Sequence, residues 1–233
     1  MIKIDQYFNP ASWQKFTTVA EDRETPFLVV DLDRIRVNYT EMVGLFPQAK
    51  VHYAMKASPA VEVITLLADL GSNFDCASVY ELDRVLDCGV DATRISYGNT
   101  IKKVKDVKYA YDKGVRLYAT DSELDLKNIA QQAPGSNVFV RILVEGADTA
   151  EWPLSRKFGC HPKVAIDLLT QARDLGLTPY GVSFHVGSQQ KAVTAWADAL
   201  ATVKYIFDWM LNKENIKLQM INLGGGFPAH YLN

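Results

Sequence analysis

The feature that most restricts the fold of this chain is a repeated unit: a short apolar segment, then an amphipathic segment that ends on glycine. Residues 73–76 read as a strand, and 79–88 as a helix closed by Gly89. Residues 94–97 and 103–113 repeat the pattern up to Gly114. A strand over 115–119 follows, and Asp121 or Ser122 can cap the next helix, which runs through 131. The unit recurs as a strand over 137–144 with a helix over 162–175 before Gly176, and as a strand over 179–186 with a long helix over 192–212. Ahead of these stand a strand over 50–55 and a helix over 61–70 stopping at Gly71; a last strand covers 218–223. Strands that alternate with helices pair in parallel through crossovers. Most of these strands read as apolar throughout, the pattern of strands covered on both faces.

Two architectures fit such a repeat. A doubly wound sheet carries a phosphate loop beside its first strand, and this chain has none there. A barrel of eight strand–helix units, the TIM-barrel class of α/β fold, is the better match. Seven strands leave the ring open, and an open ring has two unpaired edges. The barrel is therefore expected to be incomplete within these 233 residues. Residues 26–30 form a β-rich run, and Asp31 or Asp33 starts a helix over 32–46 that leads into the barrel; residues 1–25 read as an appendage.

Composition narrows the function. The formal net charge is -2 and the basic residues form no dense block, which disfavours a nucleic-acid partner. Cys76, Cys88 and Cys160 make neither a disulfide framework nor, with the four histidines, a metal-ligand pattern. No secretory leader and no apolar run of membrane-spanning length is evident, so a soluble cytoplasmic protein is expected, without metal and off the membrane.

A barrel places its chemistry at the carboxyl ends of its strands. Those positions hold Lys56, Asp75, Asn99, Asp121, Arg141, His185 and the run Gly224-Gly225-Gly226. A lysine at the end of an apolar strand is partly desolvated, which favours the neutral amine that condenses with aldehydes; a snorkelling surface lysine is the plain alternative. His185 lies beside Gly187 and Ser188, where a flat imidazole can cover a flat ring or move protons. Three glycines expose backbone N–H groups as an anion nest. Asp75 can orient a base or pair with an amine; Glu81 lies in a helix and is as easily solvated. Arg141 can pair with a carboxylate or a cofactor oxygen, and Cys76 reads as a small buried hydrophobe. An amine, a ring cover and a phosphate nest on one rim specify pyridoxal phosphate.

Six ordered motifs carry a family resemblance: Tyr53-Ala54-Met55-Lys56-Ala57-Ser58; Phe74-Asp75-Cys76-Ala77-Ser78 with Glu81-Leu82; Ile95-Ser96-Tyr97-Gly98-Asn99-Thr100-Ile101-Lys102; Ser155-Arg156-Lys157-Phe158-Gly159; Phe184-His185-Val186-Gly187-Ser188; and Leu223-Gly224-Gly225-Gly226-Phe227-Pro228. The sequence resembles the ornithine decarboxylase group of pyridoxal-phosphate enzymes, bacterial members above all, which share the alanine racemase-type barrel. The resemblance implies that Lys56 holds the cofactor's aldehyde carbon, that His185 stacks on the pyridine ring, and that Ser188 with Gly224, Gly225 and Gly226 binds phosphate. It puts Asp75, Glu81 and Arg141 around the cofactor, with Lys56, His185, Asp75 and Glu81 as the catalytic set, and Lys157 near a subunit interface. It divides the chain into residues 1–30, contributing to a β-domain and the barrel entry, and residues 31–233, the truncated barrel. It implies a homodimer in the full-length protein and decarboxylation of L-ornithine to putrescine. Lysine, arginine or diaminopimelate are rival substrates, and a partner-binding relative without catalysis is a rival of another class. The group's remaining parts, an eighth-strand glutamate on the pyridine nitrogen and most of the β-domain, have no counterpart here. The chain alone is expected to show little or no activity.

Overall fold

In the computed structural model, described for residues 8–144, 150–151 and 158–229, seven strands form one parallel sheet in sequential order. They are β1 (His52–Ala54), β2 (Asn73–Cys76), β3 (Ile95–Tyr97), β4 (Leu117–Thr120), β5 (Asn137–Arg141), β6 (Thr178–Ser183) and β7 (Met220–Asn222). Two helices, α1 (Pro10–Glu21) and α2 (Leu32–Leu45), precede the sheet. Six more cross from strand to strand: α3 (Val61–Asp69), α4 (Val79–Asp87), α5 (Val104–Asp112), α6 (Glu123–Gln132), α7 (Pro162–Asp174) and α8 (Val193–Glu214). Strand order that follows chain order throughout is the signature of a curling barrel sheet, and it lacks the order reversal of a doubly wound one. Among the described residues β1 and β7 are the two edges and do not pair with each other, so this is an incomplete (β/α)8 barrel.

Local chemistry sets the helix ends. Ser78 accepts from the Glu81 N–H at the start of α4, and Ser122 from the Asp125 N–H at the start of α6. Asp31 rather than Asp33 caps α2, accepting from Arg34 N. In α7 Pro162 takes the first turn, and Ala165, Leu168, Leu169 and Ala172 recur on the buried face.

One face of the strands meets the helices and the other lines the barrel interior. Phe74, Cys76, Ile95, Tyr97, Tyr118, Val138, Val140, Val182 and Phe184 are all buried in one core with the helices. Their neighbours Asn73, Asp75, Ser96, Arg141, Ser183 and His185 fall on the other, inward face. The barrel interior is thus polar around Asp75, Ser96 and Arg141 and apolar at Ala119 and Phe139, and β3 to β6 are buried on both faces over much of their length, as their apolar sequences imply.

Other boundaries also shift. The strand expected over 50–55 stops at Ala54 and turns into a one-turn 3₁₀ helix, Met55–Ala57. The strand expected over 137–144 ends at Arg141, that over 179–186 at Ser183, and that over 218–223 at Asn222. Beyond these ends only isolated contacts persist, such as the Ile142–Cys160 bridge and the bond from Phe184 N to Asn222 O. The β-rich run 26–30 is not a strand: Phe27, Leu28, Val29 and Val30 are exposed and find no ladder partner among the described residues. β-propensity needs a neighbouring edge to be realised. Within residues 1–25, helix α1 is capped by Asn9, whose side chain accepts from Ser12 N. With α2 and the run 27–30 it lines an apolar groove of about 540 Å³.

Candidate active site

The carboxyl ends of the strands bring the sequence-selected residues to one rim. Lys56 follows β1 in the 3₁₀ turn and is exposed at the mouth, not desolvated among the strands as its sequence setting implied. It stands close enough to influence both Asp75 and His185 electrostatically. Asp75, on β2, is half-buried on the inward face. Burial pushes its carboxyl up to about 6, although a hydrogen bond from Ser96 and the charges of Lys56 and Arg141 favour the anion. Ser96 Oγ donates to Asp75 Oδ1 at 2.6 Å. Gly98 leaves room for this carboxylate: a Cβ there would run into both Asp75 oxygens.

His185 lies two residues past the end of β6, beside the glycine turn that follows β7. Its Nδ1 accepts from Gly187 N at 3.0 Å. Burial, with Arg141 and Lys56 nearby, lowers its pKa to about 4, so the ring is neutral near pH 7. An imidazole that accepts through Nδ1 carries its proton on Nε2, and that nitrogen lies 3.5 Å from where a Cβ of Gly225 would stand.

The glycine triplet fits closely against the end of β6. Gly224 has φ +68°, and a Cβ on it would strike the Phe184 carbonyl oxygen; Gly226 has φ +94°, and a Cβ would strike that of Gly187. Only glycine suits either position. Gly224 N donates to Asn222 Oδ1 at 2.8 Å. The Gly225 and Gly226 N–H groups have no acceptor among the described residues, so two donors of the nest remain for an anion. Ser188 is half-buried next to this turn, ahead of Gln189, whose side chain clasps Ala229 through two hydrogen bonds of 2.7 and 2.6 Å.

Arg141 ends β5 with its guanidinium 5.3 Å from the Phe158 ring centroid. Burial lowers its pKa, while Asp121 and Asp75 favour its charge. Asp121 in turn accepts from Gly159 N at 2.8 Å. Glu81 is used differently from the expectation. Its Oε2 accepts from the Ala77 N–H at 2.6 Å, just ahead of α4, and its charge acts on Asp75 by favouring the protonated acid. Lys157, with Ser155 and Arg156, lies outside the described residues. Among the described residues no cluster of His, Cys, Asp and Glu could hold a metal, and no helix is long and apolar enough to cross a membrane.

Three features escaped sequence reading. Ser96 on β3 and Gly98 just after it sit two apart, the inward period of a strand, but neither residue type signals a site by itself. His52 lies one layer below Ala54 on β1, with its Nδ1 3.4 Å from Ser96 Oγ. Lys102 was quoted only within a motif, yet its side chain is fully buried and its Nζ reaches Asp125 Oδ2 at 2.8 Å, Asn99 O at 2.9 Å and Ala119 O at 2.6 Å.

The donor set meets the demands of pyridoxal phosphate. A primary amine at the mouth suits its aldehyde, a neutral imidazole can cover its ring, and two free N–H groups in a cradle that any Cβ would fill suit its phosphate. A curled parallel sheet with these groups on its carboxyl rim is a barrel built for that cofactor.

Comparison with known proteins agrees. The family described as "Pyridoxal-dependent decarboxylase, pyridoxal binding domain" matches residues 32–233, and the chain belongs to it. A lysine/ornithine decarboxylase of Selenomonas ruminantium is 39% identical over 218 residues, covering 94% of this chain and 55% of the relative. Among solved structures, SrLDC in complex with PLP and cadaverine superposes with a TM-score of 0.85 at 38% identity, over 93% of this chain and 54% of the other. The arginine decarboxylase of Paramecium bursaria Chlorella virus, bound to agmatine, gives 0.86 at 29% identity over 92% and 58%. The chain spans about half the length of the curated relatives it matches. Pyridoxal phosphate is the cofactor of this domain, and the family acts on amino acids related to ornithine, lysine and arginine.

Proposed function

We propose that this chain is the cofactor-holding part of an enzyme that decarboxylates a linear basic amino acid, with L-lysine and L-ornithine as the substrates of choice and arginine or diaminopimelate behind them. One observation carries the reading: Lys56, Asp75 and His185 face the same mouth as the free N–H groups of Gly225 and Gly226. The lysine/ornithine relative and the cadaverine-bound structure favour lysine at least as strongly as ornithine, the substrate that motif likeness alone puts first.

When bound, pyridoxal phosphate supplies the electron sink for breaking the bond between Cα and the carboxylate. The chain's own residues provide the setting. The Lys56 amine holds the aldehyde carbon. His185, uncharged, covers one face of the ring and adds no competing positive charge. The N–H groups of Gly225 and Gly226, with the Ser188 hydroxyl, take the phosphate. Asp75 keeps a carboxylate beside the amine, and Arg141 offers a cation to a carboxylate or ring oxygen. The full-length protein acts as a homodimer in this reading, with residues 1–30 joining a second domain.

The test is release of labelled carbon dioxide from L-lysine, L-ornithine, L-arginine and meso-diaminopimelate by the intact protein. Turnover of lysine or ornithine, lost in Lys56→Ala, is expected. Cofactor uptake without turnover of any of the four would replace the enzyme with a partner-binding relative.

A further inference from the structure

The inward faces of β1, β2 and β3 hold a polar column directly beneath the mouth. Asp75 pairs in register with Ser96, and His52 stands one layer lower on β1. Ser96 Oγ has a single proton, and the 2.6 Å distance to Asp75 Oδ1 fixes where it goes; the contact from the same oxygen to Phe74 O is 3.4 Å. The Ser96 oxygen is then left as an acceptor facing His52 Nδ1 at 3.4 Å. Burial and the Lys50 charge lower the His52 pKa against a smaller opposing effect of the Phe74 carbonyl, so the ring is neutral near pH 7, and with its proton on Nδ1 it donates to the Ser96 oxygen. Donors therefore run one way, from imidazole N–H to hydroxyl to carboxylate. Among the described residues no other group hydrogen-bonds the Asp75 carboxyl. The charged groups that face it are Lys56 after β1, Glu81 on α4 and Arg141 at the end of β5.

We propose that Ser96 and His52 are positioning residues for Asp75: Ser96 holds the carboxylate ionised and aimed at the mouth, and His52 acts only by orienting the Ser96 hydroxyl. Neither touches the reacting atoms. Their task is to keep a fixed negative charge beside the Lys56 amine, in a place where burial alone would protonate the acid. The assignment of that amine to cofactor chemistry rests on the function proposed above; the hydrogen-bonded column does not.

The experiment reads Asp75 itself. Carbon-13 NMR of aspartate-labelled protein, with the signal assigned by Asp75→Asn, gives the pH midpoint of the carboxyl. Ser96→Ala removes the one hydrogen bond to the anion and is expected to tighten proton binding about tenfold, moving the midpoint up by about one pH unit. His52→Phe moves it the same way by less. The double variant matches Ser96→Ala alone, because His52 has no path to Asp75 except through the hydroxyl. Ser96→Thr, which keeps the hydroxyl, leaves the midpoint in place. An unmoved midpoint in Ser96→Ala overturns the proposal, and so does an additive double variant. Should Ser96→Ala fail to fold, Ser96→Cys replaces the hydroxyl by a weak donor and carries the same expectation and the same refutation. Pyridoxal-phosphate uptake, followed by absorbance in the same samples, separates the two readings. No uptake by the parent protein sinks the decarboxylase, while the NMR midpoints still decide the role of Ser96.

Discussion

Removal of the buried Lys102 amine is the sharpest test of how the rim is held. Its Nζ makes three hydrogen bonds, to Asp125, to the Asn99 carbonyl after β3 and to the Ala119 carbonyl within β4, and its side chain has no exposure to solvent. It therefore ties two neighbouring strand ends to helix α6. Lys102→Ala strands the Asp125 carboxylate, whose Oδ1 already has no hydrogen-bond partner among the described residues. Breaking one side of a buried ion pair costs about 3–5 kcal/mol. For a chain of this length each kcal/mol is worth roughly 2–4 °C, so Tm falls by roughly 6–20 °C. Replacing both partners, as Lys102→Met with Asp125→Leu, removes the stranded charge and recovers most of the loss. Burial already pushes the Asp125 carboxyl up. In Lys102→Ala that carboxyl rises further and can accept a proton, so the penalty shrinks as pH falls. Thermal and urea unfolding followed by circular dichroism at neutral and acidic pH measure each quantity. A loss below about 1 kcal/mol at neutral pH, or a double variant less stable than Lys102→Ala, would refute the assignment of this pair as a structural tie.

Four further outcomes are expected. Lys56→Ala, at an exposed position, leaves Tm within about 1 °C, as surface substitutions usually do, and abolishes the visible absorbance of protein reconstituted with pyridoxal phosphate. Gly226→Ala forces a strained φ and a clash with the Gly187 carbonyl, so cofactor affinity, read by fluorescence titration, drops tenfold or more. His185 and Asp75 oppose each other in pH dependence. A depressed imidazole makes stability fall as pH drops from about 6.5 toward 4, whereas a raised carboxyl makes it fall as pH climbs from about 4 toward 6. Relative to the parent, Asp75→Asn should therefore make stability rise more steeply with pH between about 4 and 6.5, and His185→Gln less steeply, both by urea unfolding across that range; changes of slope of the same sign in the two variants would contradict the assignment. Gly98→Ala displaces the Asp75 carboxyl and should mimic Ser96→Ala in the carboxyl titration.

The sequence made the architecture legible because strand and helix obey different periods and glycines mark the ends of several helices. Strand β2 fell where the apolar pattern put it, and α7 began at Pro162 as proline geometry requires. What misled was tertiary. The run 27–30 has the composition of a strand and no described partner, and Lys56 ends an apolar segment yet emerges into solvent because the chain turns through a 3₁₀ helix. Lys56, Asp75, Arg141 and His185 could be picked because charged or titratable groups at strand ends stand out. Ser96 and His52 could not, since a serine and a histidine become informative only once the register sets them beside Asp75. Glu81 shows the converse: a carboxylate next to a site also accepts a backbone N–H from the turn ahead of its own helix.

The placement of the two grips gives the ligand a second job. The amine follows one marginal strand and the glycine turn the other, so a molecule gripped by both links β1 to β7, which do not pair with each other among the described residues. Its binding energy is then shared with the fold. Amide-exchange protection on loading should concentrate along the two marginal strands, while the β4 and β5 amides, already locked on both sides, stay as they were.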